Sequence, residues 1–425
     1  MRRDARRGRH PMRRVKVALL ACATAFLAAC GTTSTGPAAD HSGPPRGPAI
    51  RADFSGTGPG ALVSAEGLVD LDPALRDKTS LAARIVYEST SGVNDSHSLV
   101  TGTVFVPKGA PPPGGWQIIA YAHPATGIQS RCAPSESPTL LGSATDIASL
   151  LDAGYVVTAT DYQGLGLRDD DHSTTDPTIG PFNGYHPFLD STTEGYDVID
   201  SVRAARTLVP AASDAFAAYG VGQGGQAVWA ANELAADYRG KLTLVGVASV
   251  HPTAALEGLA DSAAGGTLTR DQQLTLQQFL ASLAKEYDDF DLGPYRHGVV
   301  ESDWDALSAC WGPAYRDRAQ IAERIGPDDL RPDGDDATRV LRGFLQKTSL
   351  PQGPTSAPMV VVPEGPDGLI PTAQTDAALA KACTMGDVVS SGALDDGDPM
   401  PGLIGWMGDR FAGLPAANDC PATHG

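Results

Sequence analysis

Short apolar runs dominate the chain from about residue 81. "ARIVYEST" and "SLVTGTVFVP" read as an antiparallel strand pair joined through "SGVNDSH". "WQIIAYAHP" reads as a buried strand ending at His123, and "YVVTATDY" as another ending at Asp161. The spacing then changes to helical in "STTEGYDVIDSVRAARTLV", returns to a strand in "AFAAYGVG", and becomes a helix again in "QAVWAANELAADY". "LTLVGVASVHP" is the next strand. Such alternation predicts an α/β fold, with a mostly parallel sheet and helices on both faces. From residue 253 to about 350 the pattern is helical, in "TRDQQLTLQQFLASLAKEY", "RAQIAERI" and "DDATRVLRGFLQKTSL". The sheet resumes at "APMVVVPEG", followed by a helix at "PTAQTDAALAKAC", a short strand at "DVVSS" and a last helix at "PGLIGWMGDRFAG". A helical block between two sheet strands predicts a cap over an α/β site; the competing reading is a helical layer beside the sheet.

Composition alters the picture mainly at the N-terminus. "MRRDARRGRHPMRRVKV" is a basic n-region, and "ALLACATAFLAAC" is an apolar run too short to span a bilayer. "LAAC" resembles the bacterial lipobox, so residues 1–29 are expected to be a signal peptide and Cys30 the lipidated first residue. An ordinary secretory signal is the alternative. Residues 30–60 are small, polar and Pro-rich, a flexible tether before a domain over 61–425 with its cap at about 253–350. The expected location is extracytoplasmic, lipid-anchored to the cell membrane or secreted. The chain carries a net charge of −18, and residues 1–29 hold eight basic and one acidic side chain, so the mature chain stands near −25. That surface argues against nucleic acid and against peripheral binding to anionic lipid, so the membrane partner is expected only through the acyl anchor.

Beyond Cys22 and Cys30, four cysteines remain: Cys132, Cys310, Cys383 and Cys420. An even number in an exported chain predicts two disulfides, with three pairings open. No Cys/His spacing suggests zinc, and no metal or cofactor is expected.

The candidate chemistry centres on "AAYGVGQGGQAVWAANELAADY", Ala217–Tyr238. Gly220, Gly222 and Gly225 fit G-x-G-x-x-G between a strand and a helix, the context of a dinucleotide site. The next strand ends "VASVHP" without an acid to hold a ribose, and the loop follows at least four strands, so the NAD(P) reading ranks last. The other reading is a nucleophile elbow, G-x-S-x-G, with elbow glycines Gly220 and Gly224 and with Gly222 where the serine would stand. Glycine keeps such a turn and removes its chemistry: without Oγ no acyl-enzyme forms there.

Several blocks in chain order carry a resemblance. These are "AYAHPATGIQSRCAPS", "VVTATDYQGLG" with "GYHPFL", "YGVGQGGQAVWAANELA", "PMVVVPEGPDGLIP" and "WMGDRFAGLPAANDC". From about Leu81 to Cys420 the chain resembles the secretory lipase family of α/β-hydrolases, including its actinobacterial members and the fungal lipase A type. The resemblance implies a Ser–Asp–His lipase or esterase under a helical cap, with disulfides Cys132–Cys310 and Cys383–Cys420. It puts the nucleophile at Gly222, the triad acid at Asp367, and the oxyanion donors at the N–H groups of Gln223 and Ala125. Pro124, where the family has glycine, removes one N–H from that turn.

The triad histidine has no counterpart. The family carries it between the second-last cysteine and the "DRF" helix, where this chain reads "TMGDVVSSGALDDGDPMPGLIG". Between His297 and His424 there is no histidine, and His424 lies beside the C-terminus. The expectation is therefore a degenerate hydrolase that keeps an apolar pocket for a lipid or ester small molecule. The rivals are an active lipase or esterase using other groups, with His123, His251 and Asp161 at strand ends as the candidates, and a protein that only binds an acyl ligand.

Overall fold

The computed structural model describes residues 45, 47–168, 185–310, 312–366, 368–392 and 398–421. The strands are β1 (Leu62–Gly67), β2 (Thr79–Thr90), β3 (His97–Pro107), β4 (Trp116–Ala122), β5 (Val156–Thr160), β6 (Ala212–Val221), β7 (Thr243–Val250), β8 (Met359–Val362) and β9 (Val389–Ser391). They form one sheet in the order β1-β2-β3-β5-β4-β6-β7-β8-β9. The strands from β1 to β3, and β3 with β5, pair antiparallel; every pairing from β5 through β9 is parallel.

The parallel strands are continuous apolar runs because helices cover both faces. Every residue of β5 and of β8 is buried, as is every residue of β4 except Gln117. The expected β2–β3 pair is present. The pattern missed β1, an edge strand in which only Leu62 and Ala65 are buried, so little apolar alternation marks it. Residues 48–50, read from sequence as tether, already pair with β1: Ile50 N donates to Ala65 O at 2.8 Å and Gly67 N to Pro48 O at 2.9 Å.

The helices are α1 (Pro73–Arg76), α2 (Ala144–Asp152), α3 (Ser191–Leu208), α4 (Gln223–Tyr238), α5 (Gly258–Gly265), α6 (Arg270–Glu286), α7 (Gly298–Ser302), α8 (Trp304–Leu307), α9 (Gly312–Ala322), α10 (Gly334–Thr348), α11 (Thr372–Met385) and α12 (Met400–Phe411). Leu75 of α1, Ile147 and Leu151 of α2, and Leu403 and Met407 of α12 pack on one sheet face. Val198 and Val202 of α3, with Val228 and Trp229 of α4, pack on the other.

Helices α5 to α10 fill the interval between β7 and β8 with no strand among the described residues. Their apolar side chains, among them Leu259, Leu276, Phe279, Leu280, Leu341 and Leu345, join the core of the α3–α4 face. α6 starts at a capping box, Thr269 with Gln272, which satisfies two N–H groups that the helix itself cannot. α6 also ties two loops together. Ser282 Oγ bonds to His186 O at 2.7 Å, and Gln272 Nε2 donates to Leu369 O at 3.0 Å, in the loop after β8.

Disulfides join Cys132 to Cys310 and Cys383 to Cys420, with Cα atoms 5.8 and 5.3 Å apart. The first links the loop after β4 to the segment before α9; the second links α11 to the chain beyond α12.

Candidate functional site

Strands β4 to β8 run parallel, so their C-terminal ends share one edge of the sheet. His123, Asp161, Gly222 and His251 each follow a strand at that edge.

Only Gly222 separates β6 from α4. Its φ is 60° and its ψ −117°, outside the left-handed helical basin and in territory that a side chain makes costly. The turn is fixed from both sides. Gly222 N donates to Val250 O at 2.9 Å, and Gly222 O accepts from Gln226 N at 3.1 Å and Thr253 N at 3.2 Å. The flanking glycines are required by contact. A Cβ on Gly224 would lie 1.9 Å from Ala122 O, and one on Gly220 would lie 2.1 Å from Gly224 O. Position 222 has room, since the nearest heavy atom to an added Cβ is Pro124 Cβ at 3.8 Å. The backbone is that of an elbow built to display a side chain, and glycine displays none.

Gln223 N is the first N–H of α4 and has no acceptor within the helix. The positive end of the helix dipole therefore faces this edge, as an oxyanion or carboxylate would require. Ala125 is exposed in the loop after β4, two residues beyond His123.

Behind the elbow lies a buried polar cluster. The Gln223 side-chain nitrogen stands 2.6 Å from His186 Nε2 and 2.7 Å from Glu194 Oε1. His186 Nδ1 faces Gln163 O at 3.0 Å, and Leu189 N donates to Glu194 Oε1 at 2.9 Å. Burial pushes the His186 pKa down to about 3 and the Glu194 carboxyl well above the usual range, so both are neutral. This cluster positions the turn and is closed to solvent. Sequence reading named Gln223 only for its backbone and quoted His186 only within "GYHPFL". The available signal was in α3, where Glu194, Asp197 and Asp200 recur at a spacing of three on a face that is fully buried.

The strand-end alternative does not form an acid–base pair. His123 is buried, its Nδ1 2.7 Å from Pro124 O and its Nε2 3.3 Å from Asp161 O, both backbone atoms. Burial lowers its pKa, which favours the neutral ring. The Asp161 carboxylate is occupied by Thr101 Oγ1 at 2.6 Å and Ser135 N at 2.9 Å. His251 is exposed at φ 47°, its N–H bonded to Val362 O at 2.7 Å. Among the described residues no group of three His, Cys, Asp or Glu side chains could hold a metal ion. Asp367, His424, Cys30 and residues 393–397 of the loop that should carry the histidine lie outside the described residues.

A parallel sheet wrapped by helices, with a strand–turn–helix elbow at its C-terminal edge, defines the α/β-hydrolase fold. Within that class, the secretory lipase family model matches residues 139–419, and the chain belongs to this family. Solved structures agree on the fold. A putative hydrolase from Legionella pneumophila superposes with a TM-score of 0.64 at 17% identity, covering 84% of this chain and 99% of that one. Candida antarctica lipase A in its closed state gives 0.64 at 15% identity, covering 87% and 86%. A ligand-bound form of the rice cell wall degrading esterase LipA from Xanthomonas oryzae gives 0.62 at 19%, covering 84% and 97%. No curated protein matches the chain by sequence.

Proposed function

We propose that this member of the secretory lipase family binds an acyl chain or acyl ester and does not hydrolyse it through a triad. One observation carries the reading: the elbow is intact and its displayed residue is Gly222. A covalent acyl intermediate needs a nucleophilic atom at that point, and glycine has only hydrogen. The missing histidine between His297 and His424 supports the same conclusion, because a restored serine would still lack its base. The helical block between β7 and β8 serves as the cap, and Asp367 keeps the triad-acid position without a partner to orient. Family membership and the two disulfides support a location outside the cytoplasm. Within that compartment, we assign Cys30 as the lipidated anchor and residues 1–29 as the signal peptide.

The test is acyl-ester turnover by the purified protein, by Gly222→Ser, and by Gly222→Ser combined with a histidine introduced in the 390–398 loop. The parent should be inactive and the single variant nearly so. Turnover by the parent at ordinary enzyme rates would establish the rival, hydrolysis by other groups. For the anchor, Cys30→Ser should abolish incorporation of a labelled fatty acid; undiminished labelling would refute it.

A further inference from the structure

The loop after β4 and the helical block line an open cavity of about 380 Å³, a size that suits a small amphiphile. Ala125 lines it, next in the chain to Pro124, whose Cβ is the nearest heavy atom, at 3.8 Å, to a Cβ built on Gly222. Two polar groups on its wall lack partners. Thr126 Oγ1 is buried without a hydrogen bond, and so is Nε of Arg318 on α9. Arg318 makes no ion pair or hydrogen bond among the described residues, although the chain has 50 acidic side chains against 32 basic ones. Arg168, Arg203, Arg324 and Arg342, by contrast, each hold a carboxylate. Burial disfavours the charged guanidinium of Arg318, so an anion seated against it would recover lost interaction.

The remaining wall is mixed, with Thr275 and Gln278 beside apolar side chains. Leu141 and Tyr315 line it and are 38% and 49% exposed. Leu141 also sits at φ 50°, a left-handed conformation that a leucine rarely adopts and that tends to persist at functional positions. Leu274 of α6 continues the apolar surface. A carboxylate also lies on the wall, that of Asp271, and it forms no ion pair with Arg318.

We infer that this cavity binds an aliphatic carboxylate, with its head group on Arg318 and Thr126 and its chain against Leu141, Leu274 and Tyr315. The inference rests on the acyl-binding reading above and narrows it from esters to free acids. A guanidinium matches a carboxylate through paired N–H donors, and the Thr126 hydroxyl adds a third. No bond is made or broken; the ligand is held as an anion.

The experiment is calorimetric titration of the purified chain with dodecanoate and with 1-dodecanol, which has the same chain and no charge. Dodecanoate should bind at least about tenfold tighter, as expected for a charge-assisted contact. Arg318→Gln should remove that preference while dodecanol binding stays, and Thr126→Val, nearly isosteric, should reduce it in part. Equal binding of the two ligands by the parent, a preference that survives Arg318→Gln, or no binding of dodecanoate would each overturn the inference. Ester turnover by the parent bears on the acyl-binding reading alone. Retained dodecanol binding without an anion preference removes the Arg318 site alone.

Discussion

Gln223 and His186 share a short hydrogen bond, 2.6 Å between the side-chain amide nitrogen and Nε2, directly behind the elbow glycine. The amide has two hydrogens, and Glu194 Oε1 receives the other at 2.7 Å. The imidazole is then the tautomer that donates from Nδ1 to Gln163 O. Replacing Gln223 by leucine leaves His186 Nε2 without a donor and Glu194 Oε1 with only Leu189 N, which should cost about 1–3 kcal/mol for the group left unmet. Urea unfolding of Gln223→Leu against the parent measures it. A loss below a few tenths of a kcal/mol would show that the cluster does not brace the turn.

Ser282 gives a pH prediction. Its single hydroxyl hydrogen is claimed by two acceptors, His186 O at 2.7 Å and Glu286 Oε1 at 2.6 Å, while Phe188 N donates to its oxygen at 2.9 Å. Both contacts are satisfied if Glu286 carries a proton and donates to Ser282. Burial raises the Glu286 pKa to about 7, which agrees. A raised carboxyl binds a proton in the folded chain that the unfolded chain has already released above its ordinary 4.5. Its stabilising contribution is full below that value and is lost as pH rises through about 7. Glu286→Gln keeps the donor and removes the titration. The variant should therefore match the parent near pH 5 and exceed its melting temperature near pH 8. Parallel melting curves for the two proteins across this range would contradict the assignment.

The elbow glycines should separate by mechanism. Gly222→Ala meets only Pro124 Cβ at an ordinary 3.8 Å, so its cost is the backbone conformation, about 1–3 kcal/mol. Gly224→Ala forces a Cβ to 1.9 Å from Ala122 O, and strand and helix must part. That variant should lose more than about 4 kcal/mol or fail to fold. Chemical denaturation of the two alanine variants decides it, and similar losses would mean that the turn is looser than its contacts indicate.

Much of this was legible along the chain because the relevant signals are local. The glycine spacing around Gly222 marks a strand–turn–helix, and the continuous runs at β4 and β7 mark strands buried on both faces. The short β9 and the final helix α12 were also found where the pattern put them. The polar cluster was not legible, since His186, Glu194 and Gln223 meet only through folding, across separations of 29 and 37 residues. The cavity at Arg318 joins residues from 125 to 318 and leaves no periodic trace. α9 begins at Gly312, earlier than the expected "RAQIAERI" segment, because a polar surface helix shows weak apolar spacing at its start.

The two disulfides should differ in what they protect. Cys383–Cys420 closes 37 residues, and Cys132–Cys310 closes 178. Restricting the unfolded chain by loops of these lengths is worth up to about 4 and about 5 kcal/mol respectively, before any strain is subtracted. The longer loop also crosses from the sheet edge to the helical block, and Cys310 lines the cavity beside Ala125. Cys132→Ser with Cys310→Ser should therefore lower stability and also weaken dodecanoate binding, because α9 and Arg318 lose their covalent tie to the β4 loop. Cys383→Ser with Cys420→Ser should lower stability and leave that binding unchanged, since it frees only α11 and the C-terminal segment. Urea denaturation and calorimetry on the two double variants check both halves. Equal weakening of dodecanoate binding in the two would show that the cavity depends on global stability and not on the link at Cys310.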